Sequence, residues 1–331
     1  MDISVIVQFP DKSVYELREV ISAISWATTL DAQPGKLKFA IPIVKEFAIP
    51  LGSTINVIIE DTKIFYGYVF ECRMSDKDTV DYTALDQVRY LRNKDTYIFS
   101  GKTATQIFTA ICEDYKLNYK VVDECNWEVS ARTHDGKTLY QIIDYGYKEA
   151  LINTQNYFIL RDNYGVLEQI SLLSLKTNLL FSDTQNISKY NYTKSIDKDS
   201  YNRVKLVQDN TKEAVRKVYV VQDNENQRNW GILQYYEKVD KNATEQQIKE
   251  RAEALLKIKN RETKSLSLTC VGAPNDLRAG NWIFLELNPL VDAGFINFQD
   301  YIITHCTHTW ENNSHSVKLN VSKLSLSVGG S

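Results

Sequence analysis

The side chains that could bind a metal ion are concentrated near the end of the sequence. His305, Cys306, His308 and His315 form its only dense group of metal-ligating residues. Side chains alternate along a strand, so Cys306 and His308 would share one face and His305 would point to the other. A tetrahedral site would then need help from a neighbouring strand, such as His315 across a turn. The favoured interpretation is ordinary hairpin residues with no metal bound, and these four residues remain the candidates against it.

Catalytic motifs are not evident in the chain. Gly101-Lys102-Thr103 resembles the end of a P-loop, but Thr96 stands where such a loop needs its first glycine, so the phosphate cradle would be missing. Thr103 is better explained as a helix cap. Neither G-x-S-x-G nor H-E-x-x-H occurs, and no local pattern singles out a pair among the 42 acidic residues for glycosidic chemistry. We therefore predict a protein that is not an enzyme, with no catalytic residues and no cofactor.

Composition limits the partners. The 331 residues allow two or three domains, and the formal net charge of −3 does not suit a protein that grips nucleic acid phosphates. The five cysteines are widely spaced without a CxxC, which favours free thiols in a reducing cytoplasm. The first residues lack the pattern of a signal peptide, and no apolar run approaches a membrane span, so we expect no stable membrane association.

Alternating apolar residues and turn signals predict a β-rich beginning of the chain. Three later segments begin with Thr-x-x-Gln, the capping-box pattern that opens a helix: Thr103 with Gln106, Thr138 with Gln141, and Thr244 with Gln247. A hairpin is predicted around residues 162–165, and residues 182–200 are polar enough to predict a linker or exposed loop. Further strands are predicted at 201–208, 215–222, 230–236, 264–271, 281–287, 301–310 and 315–325.

An internal echo suggests duplication. Aligning Gly52 with Gly280 places Ile55 on Ile283 and Val57 on Leu285, and an alternating strand ends at a similar distance before each glycine. Any strand–turn–strand unit could produce such a match. The pattern nevertheless suggests two copies of one small barrel with helices inserted between and inside them.

The predicted fold class is α+β and mainly β. It comprises two small tail-tube-like β-barrels, with an α/β insert between them and a helix within the second. The predicted domains are a first barrel at 1–94, the insert at 95–199, and a second barrel at 200–331 that contains a helix at 244–260.

Several segments together resemble the baseplate hub proteins of contractile-tailed phages and phage-like bacteriocins, often called late-control or tail-hub proteins. The order of these degenerate motifs, which span most of the chain, carries the resemblance. They are Ser25-Trp26 through Gly35-Lys36-Leu37-Lys38-Phe39, Gly52, Phe65-Tyr66-Gly67-Tyr68-Val69-Phe70, Asp86-Gln87-Val88-Arg89-Tyr90-Leu91, Ser200-Tyr201-Asn202-Arg203-Val204, Trp230-Gly231-Ile232-Leu233-Gln234-Tyr235-Tyr236-Glu237, and Thr307-His308-Thr309-Trp310-Glu311-Asn312 with His315.

The resemblance implies a structural homotrimer in which two barrels per subunit give a pseudo-sixfold ring. Such a ring would join the hexameric tail tube protein to the trimeric central spike protein, line the central channel and contact other baseplate proteins. It would assemble in the bacterial host cytoplasm and act in a virion or phage-tail-like particle, with DNA only as passing cargo where the particle carries a genome. A peptidoglycan hydrolase and a carbohydrate- or receptor-binding tail module are the alternatives.

Overall fold

A computed structural model describes residues 1–323, apart from 19, 22, 32, 46, 75, 77, 211–214, 240–242 and 297–298, and gives only the backbone of 209, 210 and 215. This part of the chain is mainly β with few helices, which confirms the coarse fold class. It forms two compact units, one of Met1–Asn191 with the described residues from Ser267 onward, and one of Tyr192–Leu266. None of its helices is both long and apolar enough to cross a membrane. The closed barrels and the three-domain division stay predictions.

The first strands alternate buried and exposed residues, as the sequence pattern predicts. In β4 the side chains of Leu37, Phe39 and Ile41 are buried in one core, which Trp310 from the far end of the chain also joins. The strands are β1 (Ile3–Gln8), β2 (Val14–Glu16), β3 (Ala23–Thr29), β4 (Lys36–Pro42), β5 (Thr54–Ile59), β6 (Thr62–Met74) and β7 (Thr79–Leu85).

The next segment mixes helices with short strands around a separate core. Both predicted capping boxes are present here, at Thr103 with Gln106 and at Thr138 with Gln141, so the helix starts are confirmed. After a 3-10 helix (Gln87–Arg92) come β8 (Lys94–Phe99), β9 (Lys102–Thr103), α1 (Ala104–Asp114), β10 (Tyr119–Val121), β11 (Glu128–Val129), β12 (Arg132–Thr138), α2 (Leu139–Thr154), β13 (Phe158–Asp162), β14 (Leu167–Ser171) and a second 3-10 helix (Leu172–Leu175).

The last part confirms most of the predicted strands and corrects two predictions. Residues 187–195 form a strand inside the predicted 182–200 loop, and a helix ending at Trp230 replaces the start of the strand predicted at 230–236. The elements are β15 (Leu180–Ser182), β16 (Ile187–Ser195), β17 (Arg203–Asn210), β18 (Val215–Gln222), α3 (Asn224–Trp230), β19 (Gln234–Lys238), α4 (Glu245–Lys259), β20 (Thr263–Val271), β21 (Trp282–Glu286), α5 (Asn288–Asp292), β22 (Gln299–Glu311) and β23 (Ser314–Ser322).

The second unit is a three-stranded sheet, ordered β18-β17-β19, with α4 packed against it. The predicted capping box of Thr244 with Gln247 opens α4, and Ile248 and Ala252 on its apolar face pack with Val204 and Leu206 of β17. The predicted helix at 244–260 is therefore confirmed.

One strand order occurs twice in the chain. The first repeat, which we define as β3–β7, has the order β3-β4-β7-β6-β5. The second repeat, defined as β16 and β20–β23, has the order β16-β20-β23-β22-β21. Strand β3 pairs antiparallel with β22 from residue 23 to 29, so the two repeats share one continuous sheet. A pairing between residues almost 280 positions apart thus holds the two ends of the chain together.

The echo between Gly52 and Gly280 is confirmed as matching hydrogen bonds. The amide of Gly52 donates to the carbonyl of Val69, and the amide of Gly280 donates to that of Ile303, each at 2.8 Å. Both glycines have positive φ, +86° and +94°, which a side chain would strain. One residue bulges after Val69 in β6 and one after Ile303 in β22. The bulges make Val69 and Ile303 equivalent positions.

Candidate functional site

The predicted His and Cys candidates lie on β22 and β23, where the two repeats join. His308 is opposite Trp26 of β3 on one side of β22 and opposite Val317 of β23 on the other. It is fully buried, and its ring stacks at 5.0 Å on Trp310 and at 5.1 Å on His315. The three rings form an aromatic stack on one face of β22 and β23.

Hydrogen bonds fix the protonation pattern of the two stacked histidines. His308 Nε2 lies 2.5 Å from the carbonyl oxygen of Leu277, which can only accept, so this nitrogen carries the proton. His308 Nδ1 must then accept from His315 Nε2, 2.9 Å away. Burial lowers the pKa of His308 to about 4, so both ring nitrogens are committed to protein partners at neutral pH.

The other two metal-ligand candidates, Cys306 and His305, lie on opposite faces of β22, as the alternation of side chains along a strand requires. Cys306 points to the side of His308, where its thiol donates to the carbonyl of Leu277 at 3.3 Å, and burial raises its pKa. His305 is on the other face and lies 3.0 Å from the Thr307 hydroxyl. Within the described residues no three His, Cys, Asp or Glu side chains are placed to hold a metal ion. The structure thus brings His308 and His315 together, gives Cys306 a shared acceptor and separates His305.

A buried ionic cluster lies behind the same junction. We define it as Asp86, Asp162 and Arg278, which come from three distant parts of the chain. The carboxylate of Asp86 accepts from the amides of Gly35 at 2.7 Å and Val88 at 3.0 Å, and it caps the first 3-10 helix. Burial raises its pKa, as does the neighbouring charge of Asp162, while Arg278 acts in the opposite direction.

Asp162, the second residue of the ionic cluster, lies in the predicted hairpin at residues 162–165. Asp162 accepts from the amide of Gly165 at 2.9 Å, and burial raises its pKa. Gly165 has a φ of +84°, and a Cβ there would meet the ring of Tyr66 at 2.7 Å. Because Tyr66 lies on β6, glycine at this turn allows the hairpin to dock closely against the first repeat.

Arg278 completes the cluster from the loop before β21. Its guanidinium donates to the backbone carbonyl of Asp162 and lies 5.5 Å from the ring of Trp26. Burial lowers its pKa to about 10, and the two aspartates partly offset that effect. The direct contact is thus the hydrogen bond to the carbonyl of Asp162, and the charge of Arg278 acts on the two carboxyl groups at longer range.

Reasoning from the sequence missed the ionic cluster. Asp86 had a visible signal, since an Asp directly before a short helix can cap it, and Asp162 opened the predicted turn. Arg278 had none, because only the fold brings it to those carboxylates. The described contacts link the loop before β21 to the hairpin through Arg278 and Asp162, and the loop before β4 to the first 3-10 helix through Gly35 and Asp86.

Sequence comparisons find relatives that align with most of this chain. Protein YqbQ of Bacillus subtilis (strain 168), described as uncharacterized, is 26% identical over 280 residues, 83% of this chain and 82% of its own length. The phage-like element PBSX protein XkdQ of the same organism is 25% identical over the same shares.

A solved structure extends the similarity to the fold. The 43 kDa tail protein of prophage MuSo2 from Shewanella oneidensis matches with a TM-score of 0.72 at 14% identity, over 98% of this chain and 99% of that one. The resemblance to tail proteins suggested by the ordered motifs is thereby confirmed for the fold. A family model described as YqbQ-like matches residues 24–322, from β3 through β23, and so takes in both repeats and the junction between them. A match of that extent leaves no doubt that the chain belongs to the YqbQ-like family.

Proposed function

We propose that this chain is a structural, non-enzymatic hub subunit of a phage-type tail. Three copies would form a pseudo-sixfold ring that joins a hexameric tail tube to a trimeric central spike and lines the central channel. One observation carries the proposal: the chain contains two repeats with the same strand order, joined by β3 and β22. A threefold and a sixfold partner can present matching surfaces only if each subunit offers two similar patches.

The features of the junction support a structural role. His308, Trp310, Asp86 and Asp162 are buried, His315 and Arg278 are partly buried, and in this proposal their contacts hold the repeats in a fixed arrangement. Each repeat would be a small tube-like barrel in this proposal. The net charge of −3 suits a channel that lets DNA pass without adhering to its phosphates.

Oligomeric state tests the proposal directly. Light scattering should give the mass of three chains, either for the protein alone or after addition of the spike protein from the same tail. Negative-stain images should show a ring with six similar lobes. A stable monomer in the presence of the spike would refute the hub.

The two alternatives predict different behaviour. A peptidoglycan hydrolase would clear cell-wall substrate in a zymogram, and Glu71 and Asp81, which line one groove of about 440 Å³, are the carboxylates to replace first. A receptor-binding module would bind host cells, whereas the hub should bind tube and spike subunits. We expect no clearing and no binding to cells.

A further inference from the structure

Within the described part of the chain, several edges of the continuous sheet have a partner strand on one side only, among them β2, β15, β16 and the end of β6. Strand β6 pairs with β5 only as far as Tyr68, so residues 71–74 have a partner, β7, on one side alone. Strand β16 ends the sheet, with β20 as its neighbour on the inner side. Met74 is 66% exposed and Tyr190 is 41% exposed at these edges. Open strand edges tend to pair with another strand, so proteins either protect them or use them.

In the second repeat the edge that corresponds to β6 is occupied. Because Val69 and Ile303 are equivalent, Cys72 corresponds to Cys306 and Met74 to His308. Strand β3 pairs with this part of β22, with Thr28 opposite Cys306, and the side chains of Cys306 and His308 are completely buried there. The same strand position is thus buried at the junction inside the chain and exposed at the open edge.

Strand β16 is the counterpart of β3. Each is the outer strand of its repeat and lies beside a strand with alternate buried residues, β4 or β20. The amide of Val271 donates to the carbonyl of Asn186, which fixes the antiparallel register and sets Lys189 opposite Leu268. The buried residues Leu37, Phe39 and Ile41 of β4 match Leu266, Leu268 and Cys270 of β20, so we take Phe39 to correspond to Leu268. In the first repeat Ile24 is opposite Phe39. Lys189 therefore corresponds to Ile24, and Thr193 to Thr28.

We propose that residues 71–74 of β6 in one copy pair antiparallel with β16 of a neighbouring copy, repeating the junction between β22 and β3. This inference rests on the proposed ring and identifies the surface that closes it. The equivalences set Cys72 opposite Thr193 and Glu71 opposite Lys194. Within one chain Lys194 pairs with Glu262 at 2.8 Å and Glu71 with Arg73 at 3.3 Å, so the new pair would add to or replace these exposed ion pairs. The contact joins different surfaces of the two copies, so repeating it around an axis generates a closed ring.

A single cysteine substitution tests the pairing. Directly opposed residues in an antiparallel pair have Cα atoms about 4.5–5.5 Å apart, within reach of a disulfide. Cys72 is exposed and the other four cysteines are buried, so the natural chain offers one accessible thiol. Thr193→Cys should therefore form a disulfide with Cys72 of a neighbouring copy when diamide takes up the two protons and two electrons that the thiols lose.

On a non-reducing gel we expect covalent dimers and trimers of the full chain, with no larger species, and a return to monomer with dithiothreitol. The matched control is Thr193→Cys combined with Cys72→Ser, which should remain monomeric on the gel. The same substitution made singly at residues 191, 192, 194 and 195 covers a slipped register and the failure of one variant to fold.

The results separate this inference from the proposed function. Trimers by light scattering without cross-links at any of the five positions would overturn the edge pairing and leave the hub standing. A monomer by light scattering with the spike present, and no cross-links, would overturn both. Covalent species that continue beyond the trimer would also refute it, because they would indicate an open filament rather than a ring.

Discussion

Burial of the neutral His308 ring makes the stability of the junction depend on pH. Its pKa falls from an ordinary 6.5 to about 4, and the first cause is removal of the ring from water. Between these values the unfolded chain binds a proton that the folded chain does not. The free energy of unfolding contributed by this group is therefore complete above pH 6.5 and is lost as the pH falls toward 4.

The magnitude follows from the change in pKa. Each pH unit between the folded and unfolded values is worth about 1.4 kcal/mol, so the full effect is about 3 kcal/mol. Asp86 and Asp162 act in the opposite sense, because burial raises their pKa values and acid then stabilises the folded form. The wild-type curve alone would mix the two effects.

A neutral replacement isolates the histidine. In the variant His308→Gln the side-chain amide can still donate to the carbonyl of Leu277 but cannot gain a proton, while the aspartates are unchanged. Urea denaturation of both proteins, followed by Trp fluorescence from about pH 4 to pH 8, gives the difference in free energy of unfolding at each pH. That difference should shift against the wild type by about 3 kcal/mol between about pH 7 and pH 4. Parallel curves would show that His308 is not held neutral by burial.

Four further substitutions, one of them a control, test other parts of the fold by urea denaturation. Gly165→Ala should lower the free energy of unfolding by about 2 kcal/mol or more, because it adds a contact at 2.7 Å to a strained φ of +84°. Gly136→Ala, where φ is +60° and the space is open, should cost about 1 kcal/mol, and equal losses would contradict the docking of the hairpin. Arg278→Met should cost about 2–3 kcal/mol at pH 7 through loss of the buried hydrogen bond to the carbonyl of Asp162. The cost should be smaller at pH 5, where Asp162, with its pKa raised to about 6, takes up a proton; a loss independent of pH would contradict the cluster. Thr138→Ala should cost about 1 kcal/mol through loss of the helix cap, and an unchanged midpoint would contradict it.

Local signals predicted what depends on neighbouring residues. The three Thr-x-x-Gln patterns opened helices because capping needs only residues three positions apart. The hairpin at 162–165 and the paired turns at Gly52 and Gly280 were predictable for the same reason, since positive φ and tight turns leave a mark in composition.

The rest depends on distant contacts. Strand β16 was predicted as a loop because an edge exposed on both faces needs no apolar alternation, and Ser188, Lys189 and Asn191 are all exposed. The pairing of β3 with β22 has no local signature, since its partners lie at opposite ends of the sequence. The buried charges were equally invisible, because a lone Arg278 in a loop has the composition of a solvated side chain.

The residues of β22 at the junction inside the chain differ from those of the equivalent edge of β6. This difference fits two junctions that form at different times, one during folding and one during assembly. The junction inside the chain forms as the chain folds, so β22 can bury His308 and Trp310 without exposing them. An edge that pairs only on assembly must first exist in water. Glu71 and Arg73 on β6, and Lys189 on β16, give such an edge the charge that discourages random strand pairing. In the proposed ring both junctions therefore have the same strand geometry. Their residues differ because the edges of β6 and β16 are exposed to water until a neighbouring copy binds, whereas β22 pairs with β3 as the chain folds.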